Sequence, residues 1–87
     1  ILYVKEKSVM KREYTAVINL NSIEKVKTFS KKVNSLSGLL KVTDGIFTVD
    51  GKSILGLFSL NLTNPVTICY EYDTDDVELL QNIISIV

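Results

Sequence analysis

The sequence contains no histidine and no tryptophan, a single cysteine and a single proline, and its ten Lys and Arg are matched by ten Asp and Glu. Without histidine the chain lacks the commonest general base at neutral pH, the commonest metal ligand and the commonest phospho-accepting ring. One cysteine, Cys69, rules out an intramolecular disulfide and leaves a zinc cluster without ligands, which favours a reducing, cytoplasmic setting. A formal charge of zero removes the electrostatic signature of a nucleic-acid or anionic-membrane binder. The apolar run Ile54 to Phe58 is interrupted by Gly56 and falls far short of the ~20 residues that span a bilayer. Ile1 to Val4 is too short for a signal-peptide core, so the expectation is a soluble cytoplasmic protein that does not engage a membrane.

What is present is a globular composition, 46% hydrophobic and 23% charged over 87 residues. A chain of this length buries only about 60–65% of its unfolded surface, which leaves little room for a deep enzyme cavity. From Tyr14 to Leu20, Ala16, Ile18 and Leu20 alternate with Thr15, Val17 and Asn19, which predicts a strand with one mainly apolar face. The period then changes. Ile23, Val26, Phe29, Val33 and Leu36 draw an apolar stripe along a helix whose other sides carry Glu24, Lys25, Lys27, Lys31 and Lys32. Asn21 or Ser22 would cap it, with Glu24 three residues after Asn21, and Gly38 would stop it in a left-handed conformation.

Two short strands are predicted next, Leu39 to Thr43 and Ile46 to Val49, joined at Asp44-Gly45, and a second Asp-Gly pair at Asp50-Gly51 closes the hairpin. Ser53 would cap a two-turn helix carrying Ile54, Leu55, Leu57 and Phe58, ended by Asn64-Pro65. Val66, Ile68, Tyr70 and Tyr72 alternate with Thr67, Cys69 and Glu71 as a strand. Asp73 or Thr74 would cap a last helix that runs to the final residue, with Val77, Leu80, Ile84 and Val87 on one face. The order βαββαβα argues an α+β open-faced sandwich, a four-stranded antiparallel sheet with three helices on one face. Residues 1–9 stand outside this pattern as an N-terminal extension, and residues 10–87 form the domain.

The stretch Lys52 to Leu60, KSILGLFSL, resembles the regulatory-serine segment of HPr, the histidine-containing phosphocarrier protein of the bacterial sugar phosphotransferase system. With Lys-Ser-Ile set on Lys52, Ser53 and Ile54, the register carries back without a gap to the first helix and puts Val26, Phe29 and Val33 on family core positions. The resemblance covers roughly Met10 to Val87 and implies the HPr-like open-faced sandwich. It also implies that Ser53 is a regulatory phosphorylation site and that Lys52, Ile54, Leu55 and Phe58 bind protein partners, a transcription regulator or the family kinase. Where the family has its phospho-accepting histidine followed by alanine, arginine and proline, this chain has Ser22, Ile23, Glu24 and Lys25. The imidazole is gone, and Glu24 in place of the arginine would repel a phosphate dianion by ~1 kcal/mol or more. The chain is similar in this to the histidine-less catabolite-repression HPr-like branch.

The expected function is therefore a non-enzymatic, protein-binding regulator controlled at Ser53, with no cofactor and no metal. Two alternatives stand beside it: a phosphocarrier using a non-histidine acceptor such as Ser22, and a small-molecule regulatory module. Each marked residue also has a plain structural reading. Ser53 and Ser22 serve as helix caps, the lysines of the first helix form a solvated face rather than an RNA platform, and Cys69 is a half-buried strand residue. Asp73, Asp75, Asp76 and Glu78 lack the spacing of a calcium loop and suit a helix start.

Overall fold

A computed structural model describes residues 12–87. Among these the chain forms, in order, strand β1 (Arg12–Ile18), helix α1 (Ile23–Val33), strands β2 (Leu39–Thr43) and β3 (Thr48–Asp50), helix α2 (Ile54–Phe58), strand β4 (Val66–Tyr72) and helix α3 (Val77–Ser85). The strands lie side by side in the order β1-β4-β2-β3, every neighbouring pair antiparallel. This is the α+β open-faced sandwich expected from the order of elements. The extension assigned to residues 1–9 lies outside the described residues, as do Met10 and Lys11.

Register explains which face the helices cover. Tyr14 lies opposite Tyr70 and Tyr70 opposite Leu40, while Ala16, Ile68 and Val42 form the next row with Val49 beyond. All these side chains point to one side, where Leu40, Val42, Ile68 and Tyr70 are buried together with Val26, Phe29 and Val33 of α1, Leu57 of α2, and Leu80 and Ile83 of α3. The intervening residues Thr15, Val17, Lys41 and Thr67 stay exposed on the other face, the alternation of a sheet packed on one side only. Leu20 and Leu36 lie beyond the ends of β1 and α1, yet both are buried and extend the core past the regular elements.

Several local expectations are corrected. Strand β1 ends at Ile18, two residues before Leu20. Ser22 alone caps α1, its Oγ accepting from the Lys25 amide at 3.1 Å. Helix α1 ends at Asn34 in right-handed conformation, so Gly38 does not stop it. What Gly38 supplies is clearance: a Cβ there would come within 2.8 Å of the Tyr70 ring. Strand β3 begins at Thr48 because Ile46 and Phe47, despite their β preference, are drawn into the turn. Asp44 Oδ1 accepts from both of their amides, at 2.9 and 2.8 Å, and Gly45 takes a φ of 100° that disfavours any side chain. The last helix starts after Asp76, with neither Asp73 nor Thr74 as its cap, and ends at Ser85.

Asp76 does not cap α3 through its side chain because that carboxylate is engaged across the fold. Its Oδ2 accepts from the amide and the hydroxyl of Ser37, at 2.9 and 3.0 Å, and its Oδ1 accepts from the Tyr70 hydroxyl at 2.8 Å. The same phenolic oxygen accepts from the Gly38 amide at 2.9 Å. Burial works against charge on Asp76, but the bonds from Ser37 and Tyr70 outweigh it and hold the carboxyl below its ordinary value of 3.8. Burial, with the adjoining carboxylate, pushes the Tyr70 phenol up.

Replacing Tyr70 with Phe keeps the ring but leaves Asp76 and Gly38 without their partner, and is expected to cost roughly 1–3 kcal/mol in denaturant unfolding. Because the folded pKa of Asp76 is depressed, its stabilising effect is full above the unfolded value and is lost as pH falls through the folded one. Asp76→Asn should therefore be less stable than the parent at neutral pH and lose less on acidification. Parallel urea midpoints through the carboxylate range would contradict this reading of the network.

Candidate functional site

The surface around α2 is built from the second Asp-Gly turn. The Gly51 amide donates to the Leu40 carbonyl at 2.8 Å, and Asp50 receives the Lys52 amide on Oδ1 at 2.9 Å and the Ser53 amide on its carbonyl at 3.0 Å. This delivers Ser53 in extended conformation with its Oγ accepting from the Gly56 amide at 3.1 Å, the N-cap predicted from sequence. Leu57 then donates to the Ser53 carbonyl, and the helix ends within five residues as the Ser59 amide and hydroxyl both turn back to the Gly56 carbonyl.

So short a helix can bury only a narrow stripe. Leu57 is fully buried, whereas Ile54, Leu55 and Phe58 retain 38%, 80% and 42% of their accessible surface. Three of the four large apolar side chains of α2 thus face solvent beside Ser53, whose side chain is itself exposed. Lys52 behaves differently from its neighbours: its ammonium donates to the Leu36 carbonyl, so it fastens the hairpin end to the loop after α1.

Phe58 connects this patch to the start of α1. It lines a hollow of ≈ 240 Å³ with Leu20, Ser22, Ile23, Leu62 and Thr63. Ile23, expected at the head of the buried stripe of α1, is instead 63% exposed as the first residue of the helix, and burial of the stripe begins with Val26. Ser22 and the apolar side of α2 therefore share one continuous surface. The contribution of Leu62 and Thr63 was not readable from periodicity, since both sit in the irregular segment before β4.

Chemically this surface suits binding. Among the described residues no charged side chain lines the hollow, and Ser22 Oγ is occupied as an acceptor from the Lys25 amide with no base beside it in that lining. Among the described residues no three His, Cys, Asp or Glu side chains gather where a metal ion could sit, and no helix is long and apolar enough to cross a membrane. Cys69, half-buried on the open sheet face, has its thiol pushed up by burial and then by the Glu13 and Glu71 carboxylates, against a smaller pull from Lys41. A thiol so held is a weak nucleophile at neutral pH. The acidic residues before α3 divide: Asp76 is bound into the Tyr70 network, and Asp75 meets Arg12 in an exposed pair at 4.0 Å that adds little.

No protein-family model matches the chain, and no curated protein matches it. Solved structures do. A phosphocarrier protein HPr from Bacillus anthracis str. Ames superposes with a TM-score of 0.67 at 22% identity, covering 88% of this chain and 96% of that one. HPr-C-His from Thermoanaerobacter tengcongensis gives a TM-score of 0.68 at 20% identity, covering 87% and 90%. The fold is thus that of HPr, over nearly the whole length of both proteins.

Burial separates the α2 side chains by their expected cost on truncation. Leu57→Ala should lose about 2–5 kcal/mol, as for a fully buried leucine. Leu55→Ala should stay within about 0.5 kcal/mol of the parent, and Phe58→Ala should fall between the two. Equal losses at Leu55 and Leu57 in chemical denaturation would place both in the core and remove the patch.

Proposed function

We propose that this chain is an HPr-like protein of the phosphocarrier family that does not carry phosphate on histidine and acts as a regulatory module, binding a protein partner through Ile54, Leu55 and Phe58 under control of Ser53. The observation that carries the reading is the outward placement of these three apolar side chains beside an exposed serine, on a surface that reaches Ser22 through Phe58. A cluster of large apolar groups on an otherwise polar surface is the usual signature of an anchor for a partner. The neighbours of known structure are phosphocarrier proteins, and the sequence with no histidine offers no imidazole for that chemistry.

Control at Ser53 follows from charge. Transfer of the γ-phosphoryl group of ATP to Ser53 Oγ, releasing ADP, would add nearly two negative charges beside the uncharged side chains of Ile54, Leu55 and Phe58. Lys52 is the adjacent cation, but its ammonium is turned to the Leu36 carbonyl, which leaves the new charge largely uncompensated within the protein. A partner that relied on apolar contact alone would be weakened, and one presenting Arg or Lys near Ser53 would be strengthened. The partner classes that fit are a transcription regulator and the kinase that modifies the serine.

The test is the intact mass after incubation with ATP and the family's serine kinase. A single addition of about 80 Da that is lost in Ser53→Ala is the expected result. An unchanged mass would leave Ser53 as a cap only, removing phosphorylation from the proposal. In that control the cap itself is expected to cost about 0.5–2 kcal/mol, so thermal unfolding run in parallel separates a lost acceptor from a lost fold.

A further inference from the structure

The lysines of α1 acquire a context that their spacing alone does not show. The C-terminal half of α1 and the exposed side of α3 enclose an open groove of ≈ 740 Å³, lined on the α1 side by Thr28, Lys31 and Lys32 and on the α3 side by Leu79, Ile83 and Ile86. It shares no residue with the hollow at Phe58. Its floor is apolar: Ile83 is nearly buried, while Leu79 and Ile86 remain 42% and 60% exposed. Leu79 and Ile83 of α3 stand at i and i+4, with Ile86, its C-terminal cap, at i+7, so that two exposed apolar side chains flank one that enters the core. The rim is cationic: both lysines are exposed, and among the described residues no carboxylate lines the groove and neither lysine forms an ion pair.

We infer that this groove docks an acidic amphipathic helix of a protein partner, with apolar side chains on Leu79 and Ile86 and carboxylates against Lys31 and Lys32. Dimensions and charge select this occupant. The lining on the α3 side runs from Leu79 to Ile86, about 10 Å at 1.5 Å per residue, a span that takes about two turns of helix bearing anchors at matching spacing. An RNA strand would need aromatic stacking surfaces, and among the described residues no aromatic side chain lines the groove. A second copy placed face to face would bring, among the described lining residues, no carboxylate to pair with the lysines, whereas an acidic helix supplies them.

The experiment uses the isotope-labelled chain and two designed peptides of about three turns, each with leucines at i, i+4 and i+7. One peptide carries glutamates on the flanking positions and the other lysines. The glutamate peptide is expected to shift the resonances of Lys31, Lys32, Leu79 and Ile86, with affinity that falls as salt rises. Charge reversal by Lys31→Glu with Lys32→Glu should weaken it by roughly tenfold or more and favour the lysine peptide. Ile86→Glu, at an exposed position, should weaken both peptides while leaving the melting temperature unchanged. Absence of saturable binding to the parent chain, a preference untouched by charge reversal, or shifts centred on Leu55 and Phe58 would each overturn the inference. So would a concentration-dependent dimer broken by Ile86→Glu, which would assign the groove to a second copy of the chain.

Discussion

Tyr70 lies fully buried in the middle of strand β4, the strand that pairs with both β1 and β2. A phenol in that position requires partners for its hydroxyl, since an unpaired one would cost the whole desolvation of the group. The partners come from opposite directions: the Gly38 amide at the entrance to β2 and the Asp76 carboxylate at the start of α3. Ser37 closes the circuit from the loop after α1. One side chain thus ties the beginning of β2, the end of β4 and the start of α3 to each other. The approach is so close that Gly38 has no room for a Cβ.

With that junction made, the placement of the surface around α2 follows through the sheet. Register from β4 to β2 aligns the hairpin, and the Asp50-Gly51 turn launches α2 with Ser53 at its head. The other end of α2 is held by Asp44, which gathers the amides of Ile46 and Phe47 on one carboxylate oxygen and that of Asn61 on the other at 2.9 Å. These three amides hold the Asp44 carboxyl below its ordinary value, Asn61 contributing most. Helix α2 therefore sits between two aspartate-fixed turns. Its shortness, rather than any local strain, obliges Ile54, Leu55 and Phe58 to remain on the surface.

The two surfaces that result differ in character. Around Phe58 the patch is apolar and without charged side chains in its hollow, so a single phosphorylation there would change it greatly. Between α1 and α3 the groove combines apolar floor with cationic rim, so its selectivity would rest on charge. Both use helix residues at the edges of the stripes that form the core. A helix on an open-faced sheet buries about half its circumference, and large apolar residues at the margins stay accessible.

Much of this was legible in the residues taken in order. The stripe Val26, Phe29, Val33, the alternation of Val66, Ile68 and Tyr70, the cap at Ser53 and the resemblance of Lys52 to Leu60 to a regulatory segment determined the element order and pointed to the HPr-like fold, because periodicity and capping are local properties of the chain. Only the tertiary structure decided that Ile23 faces outward, that Ile46 and Phe47 belong to a turn, that Gly38 gives clearance to a ring thirty-two residues away, and that Lys52 reaches back to Leu36. The Gly38 and Lys52 contacts depend on partners thirty-two and sixteen residues away. No repeat of side chains along one segment encodes a hydrogen bond or a contact made across the fold.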